Sequence, residues 1–245
     1  MNREILLSIL AISTVVALVG GATYATFSDT ETSTGNTFTA GSIDLKIDYQ
    51  CLGGGCGFSL RDLGDSGPAF FSKCDIKPGD SGEVTISWHV YDNNAWARLR
   101  FADIDNYENG CTEPESKVDR TCGDPGLGEG ELIDNLVFTI WMDEGSIKGW
   151  QCPDNSNRPC SADPEEGNNI LDGIETPIVS NKSLSEIISE GGVKLPGELE
   201  NSTTYYLGVK WTVLPTVGNI IQTDSLVGKI VMEVVQSRNN PTPWQ

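Results

Sequence analysis

Several stretches of this chain alternate apolar and polar residues, and a period of two is the signature of a strand with one buried face. In the clearest, Val84, Ile86, Trp88 and Val90 face in, while Glu83, Thr85, Ser87 and His89 face out. Tyr205, Leu207, Val209, Trp211 and Val213 alternate in the same way with Tyr206, Gly208, Lys210 and Thr212. Ile43, Leu45 and Ile47 alternate with Asp44, Lys46 and Asp48. Leu132 to Trp141 reads as a further strand through Leu132, Leu136, Phe138 and Ile140. Leu226 to Gln236 reads as the last, with Leu226, Ile230, Met232 and Val234 on one face and Lys229 and Glu233 on the other. Pro78-Gly79 is a turn signal, proline fixing φ and glycine taking the positive φ that follows. Tyr91-Asp92-Asn93-Asn94 is read as a turn that makes Ala95 to Phe101 the hairpin partner of the strand before it.

With 27 glycines and 12 prolines, turns are many and long helices are not expected. One short helix is expected at Ser183-Leu184-Ser185-Glu186, a capping box, with Leu184, Ile187 and Ile188 as its apolar face and Gly191-Gly192 as its end. The fold class is all-β: an antiparallel jelly roll or β-sandwich with long disulfide-stapled insertions.

Ile5 to Val19 is an apolar run broken only by Ser8, Ser13 and Thr14. It is shorter than the about 20 residues that a membrane span needs. It fits the apolar core of a signal peptide, and Thr23-Tyr24-Ala25 supplies the small residues that a signal peptidase reads. Cleavage between Ala25 and Thr26 is expected, with an uncleaved anchor as the competing reading. The chain then divides into a signal peptide (1–25), an N-terminal arm (26–40), a jelly-roll domain (41–236) and a polar tail (237–245). Export makes the protein secreted, without membrane association once the leader is removed. The leader holds one Arg and one Glu, so the remainder keeps the formal net charge of -19. A surface so acidic repels phosphate backbones, which excludes nucleic acid as a partner.

All seven cysteines follow the leader, and an oxidising compartment turns close pairs into disulfides. Sequence order suggests Cys51–Cys56, Cys111–Cys122 and Cys152–Cys160, leaving Cys74 over; connectivity does not follow from sequence alone. Residues 103–131 and about 143–172 read as surface insertions. Zinc is not expected, because no Cys-x2-Cys pair exists and His89 is the single histidine. No catalytic constellation appears, since any Ser–His pair would rest on His89, which falls on the polar face of its strand. Asp103/Asp105, Asp143/Glu144 and Glu165/Glu166 read as solvated loop charges outside any EF-hand pattern. No cofactor is expected, with calcium the one ion that the acidic composition leaves open. Asn181 and Asn201 head glycosylation sequons, Asn201 lying in the better loop context.

Gly20-Gly21-Ala22-Thr23-Tyr24-Ala25-Thr26-Phe27-Ser28-Asp29 resembles the leader type cut by a dedicated signal peptidase in biofilm-matrix operons. Asn36-Thr37-Phe38-Thr39-Ala40-Gly41-Ser42-Ile43-Asp44-Leu45 is similar to the start of the mature chain in the TasA/camelysin family. The likeness recurs at Lys77-Pro78-Gly79-Asp80, Leu184-Ser185-Glu186, Val209-Lys210-Trp211 and Gln222-Thr223-Asp224-Ser225. The cysteine-bearing insertions depart from the bacterial pattern and bring the chain nearer in kind to archaeal bundling pilins.

The resemblance implies a subunit that binds copies of itself, polymerising by donor-strand exchange into an extracellular pilus or matrix fibre, with other matrix or surface components as further partners. It implies a donor strand in the arm, carried by Phe27, Thr30, Thr32, Thr34, Thr37 and Phe38. Taken alone, Asp29, Glu31, Gly35 and Asn36 make the same arm read as a polar terminus. The last strand, Leu226 to Gln236, is the expected edge that accepts the arm. Two other functions compete: a camelysin-like secreted metallopeptidase and a monomeric surface adhesin. The peptidase chemistry does not carry over, because a zincin needs His-Glu-x-x-His and this chain has one histidine.

Overall fold

The computed structural model describes residues 44–51, 57–63, 70–71, 73, 75–147, 163–241 and 243–244. The chain divides into two units, Met1–Ala40 and Gly41–Gln245, and the description that follows concerns the second. In chain order the strands are β1 (Asp44–Cys51), β2 (Gly57–Arg61), β3 (Ser81–Tyr91), β4 (Ala95–Glu108) and β5 (Gly126–Leu127). They continue with β6 (Leu136–Met142), β7 (Pro177–Ser183), β8 (Val193–Lys194), β9 (Thr203–Val213) and β10 (Ser225–Gln236). A six-stranded sheet has the order β2-β1-β3-β9-β6-β7, and a smaller one has the order β10-β4-β5 with β8 also on β4. Every pairing is antiparallel, so the all-β sandwich expected from the alternation is present.

The pair β3–β9 is the spine of the larger sheet. Its register sets Val84 opposite Val209, Ile86 opposite Leu207 and Trp88 opposite Tyr205. All six point into the core and are buried, as is Trp211. Each large apolar side chain so buried contributes roughly 1.5–3 kcal/mol. The outer face differs from expectation. Thr85, Ser87 and His89 do point away from the core, yet they are only 5–6% exposed. Asp143 and Asn169 lie over Thr85, and His89 is held between Thr204 and Asp48 of the strands on either side. Thr85 Oγ1 is 2.6 Å from Asp143 Oδ2 and 2.9 Å from Asn169 Oδ1, and the Asn169 amide donates to Asp143 Oδ2 at 2.8 Å. A polar face can be buried when its partners are polar too. On that face Gly208 sits under Trp141, whose ring would collide with any β-carbon at 208.

Three other expectations are corrected. Ala95 to Phe101 is not the hairpin partner of β3, because β1 and β9 occupy both edges of β3. The Tyr91–Asn94 turn instead carries the chain to the opposite sheet, where Ala95, Ala97, Leu99 and Phe101 face the core. Residues 103–131 are not wholly a surface insertion. β4 runs on to Glu108, and Glu115, Asp119 and Cys122 are buried. The stretch from Leu132 begins with a helical turn, α1 (Leu132–Asn135), before β6. Asp224 Oδ2 accepts from the Leu132 amide at 2.7 Å, satisfying a donor at the start of that turn. Among the described residues the α-helices are therefore two.

The second, α2 (Leu184–Ser189), forms as its capping box dictates. Ser183 Oγ accepts from the Glu186 amide at 3.2 Å, and Glu186 Oε2 accepts from the Ser183 amide at 2.8 Å. Leu184 and Ile187 are buried. Gly191 and Gly192, at φ 79 and 98, close the helix by donating to the carbonyls of Ile188 and Ile187. Ser183→Ala should lower the unfolding free energy by about 1 kcal/mol in urea denaturation, and Ser183→Thr should retain most of it.

Candidate functional site beside the last strand

β10 is joined to one neighbour only. It pairs along its length with β4, and among the described residues no strand meets its other side. Among the described residues, one side of this 12-residue strand therefore has no strand partner, and such an edge is a template for pairing with an added strand. The β4–β10 register slips by one residue between Val227 and Lys229. The extra residue is on β4, where Asp103 takes φ 49. Odd-numbered residues of β4 face the core up to Phe101; past the bulge, Ile104, Asn106 and Glu108 do so. Gly228 lies opposite, and a β-carbon there would collide with Ile104. On the outer face, Glu233 clamps β10 to β4 by accepting from Arg98 Nε at 3.0 Å and Arg100 Nε at 2.8 Å. The Arg100 hydrogen bond holds the Glu233 carboxyl below its ordinary range, against a smaller opposing push from burial. The tail follows β4: Trp96 Nε1 donates to the Asn240 carbonyl at 2.7 Å, and Arg98 stacks 4.0 Å over the Trp244 ring.

Inward of β10 a cavity of about 1270 Å³ opens between the two sheets. Leu45, Ile47, Phe138 and Trp211 line it from the larger sheet, and Phe101, Ile104, Ile230 and Met232 from the smaller. Phe71 closes on Trp211 edge to face at 6.5 Å. Protein interiors are packed with few voids larger than a water molecule. This volume is a part of the core that the described chain does not fill, and it adjoins the unpaired side of β10.

The remaining sequence-derived positions divide clearly. Ala25, Thr26, Phe27, Thr30, Thr32, Thr34, Thr37 and Phe38 lie outside the described residues, as do Cys56, Cys74, Cys152 and Cys160. Cys51 ends β1, and Cys111 is bonded to Cys122. Asn181 is exposed on β7 at φ 50. Asn201 is exposed in the turn before β9, where its side-chain amide donates to Asn94 Oδ1 at 3.1 Å. His89 is not at the surface. Its Nδ1 is 3.1 Å from Thr204 Oγ1, and its Nε2 is 3.7 Å from Asp48 Oδ1.

The acidic residues depart furthest from expectation. Asp103 and Asp105 are exposed, but Asp143 is fully buried and Glu166 is half-buried. Burial pushes Asp143 up despite the Thr85 hydrogen bond. Burial, reinforced by Glu144 and Asp163 against the pull of the Gly145 amide, pushes Glu166 up to about 8. Glu108, Glu115 and Asp119 are buried as well, and no sequence pattern marked them. Glu108 faces inward only because the bulge at Asp103 reverses the alternation, and a bulge is set by the partner strand.

The family described as Camelysin metallo-endopeptidase matches residues 1–53, in agreement with the resemblance carried by the N-terminal residues. The match takes in β1 and stops well before His89. No curated protein matches the chain.

The raised Glu166 gives a pH signature. Between the unfolded value of about 4.3 and about 8, the folded chain keeps a proton that the unfolded chain releases, so stability falls as pH rises through that window. Without divalent cations, Glu166→Gln should stabilise the protein by on the order of 1 kcal/mol near the upper end of that window, and by much less near the lower end. Thermal denaturation at the two pH values measures the difference.

Proposed function

We propose that this chain is a secreted, non-catalytic subunit that assembles with copies of itself into extracellular filaments by strand exchange. Residues 26–40 of one copy enter the cavity beside β10 of the next and add a strand to the smaller sheet. The observation that carries the reading is the coincidence, among the described residues, of an unfilled apolar interior with a strand edge that no other strand meets. Either feature alone is a liability, one for stability and the other for aggregation. An incoming extended segment relieves both at once, its main chain pairing with β10 and its alternate side chains filling the gap.

The arm has suitable chemistry and length. It contains no proline and six threonines between Thr26 and Ala40, with Phe27 and Phe38 as bulky residues. Extended at roughly 3.3 Å per residue, it is longer than the edge formed by β10. A head-to-tail contact of this type uses two different surfaces and so propagates as an open filament rather than closing as a dimer. The description of the matching family names a metallo-endopeptidase. The sole histidine is buried on the outer face of the larger sheet, where it gives no second imidazole to share a metal.

Residues 26–245 should form fibres visible by negative-stain microscopy, and a chain beginning at Gly41 should not. Fibres from both would sink the strand-donor role of the arm. A peptide of residues 26–40 added to the shortened chain at about a hundred times its dissociation constant should raise the melting temperature by about 5–10 °C. Its Phe38→Ala variant should bind more weakly.

A further inference from the structure

Below the root of β10, five carboxylates from four parts of the chain converge. Glu108 ends β4, Glu115 and Asp119 belong to the loop closed by Cys111–Cys122, Glu131 precedes α1, and Asp224 precedes β10. Glu108, Glu115 and Asp119 are 2%, 0% and 5% exposed. The arrangement is consistent in detail: each carboxylate spends one oxygen on the fold and leaves the other bare. Glu108 Oε1 accepts from Thr223 Oγ1 at 2.7 Å and from the Gly110 amide at 3.0 Å. Glu115 Oε2 accepts from the Thr112 amide at 3.0 Å, and Asp119 Oδ1 from the Thr121 amide at 2.7 Å. Glu131 Oε1 accepts from Thr121 Oγ1 at 2.9 Å, and Asp224 Oδ2 from the Leu132 amide at 2.7 Å.

The second oxygens, Glu108 Oε2, Glu115 Oε1, Asp119 Oδ2, Glu131 Oε2 and Asp224 Oδ1, are all buried without a hydrogen-bond partner. Asn106 Oδ1 is in the same position. Ligand atoms of Glu108, Glu115 and Asp119 lie within 4.8 Å of one another, as do those of Glu108, Glu131 and Asp224. No Lys, Arg or His forms an ion pair with any of the five among the described residues. Leaving so many buried carboxylate oxygens unsatisfied is heavily unfavourable unless a cation joins them.

We propose that this nest is a calcium site, with Glu108 shared between its two triads. The donors are oxygen only, since both cysteine sulfurs of the loop are committed to the disulfide, which disfavours zinc. An irregular set of five carboxylates suits the 6–8 flexible oxygen ligands of calcium better than the strict octahedron of magnesium, which retains its waters. The ion would pin the disulfide loop, α1 and the root of β10 to one point. This inference does not depend on filament assembly.

The test uses the full chain stripped with EDTA. Terbium should bind saturably with luminescence sensitised by the protein's aromatic residues, calcium should displace it, and magnesium at equal concentration should not. Saturating calcium should raise the melting temperature by about 5–10 °C. Glu115→Gln and Asp119→Asn should each weaken calcium binding by roughly tenfold or more, while Glu113→Gln, on the exposed side of the same loop, should not. Hydrogen exchange on the unsubstituted chain decides the matter if either variant fails to fold: calcium should protect amides 110–122 and 223–225. Absence of terbium binding, unchanged affinity in the folded variants, or calcium without protection at those amides would each overturn the assignment.

Discussion

The two sheets are unequal, and the rest of the structure answers to that inequality. Six strands on one side present an inner face that β4 and β10 alone must cover, because β5 and β8 are two residues each. Along the middle of the sandwich the cover is complete, and Ile86, Trp88, Leu207 and Val209 are sealed there. Towards one end α2 completes it with Leu184 and Ile187. Beside β10 it is not complete. A wide sheet facing a narrow one leaves apolar surface over, and leaving it uncovered costs the hydrophobic stabilisation that burial would give.

The outer face of the larger sheet solves the opposite problem. There the exposed side of β3 and β9 is polar, and the chain covers it with Asp143, Asn169 and the turn around Gly167 rather than with apolar residues. Polar cover fixes register more strictly than greasy cover, since each hydrogen bond has a direction and each miss leaves a buried group unpaired. The raised carboxyls of Asp143 and Glu166 are the accompanying penalty.

What could be read in the sequence was local. The alternation of β3 and β9, the box joining Ser183 to Glu186 and the positive φ of Gly79 depend on residues a few positions apart, and all three are as the sequence implies. The edge position expected for the last strand also matches the topology. What was hidden is what another part of the chain decides. His89 looked exposed because its strand alternates, but Asp48 and Thr204, brought alongside by distant strands, flank its ring. Glu108 looked like one more acid in a polar loop, because nothing near Asp103 announces the bulge that turns it inward. The cavity is the extreme case: a void is what remains after every other element has packed, so no residue encodes it.

The gap beside β10 also bears on how long a lone chain survives. Segments with missing neighbours open at lower free energy than sealed ones, and proteases act on the opened form. The same Gly228 that admits Ile104, and the half-buried residues along β10, make this margin the first to lift. Filling the cavity should therefore slow proteolysis at this edge, in a way that sealing the middle of the sandwich could not.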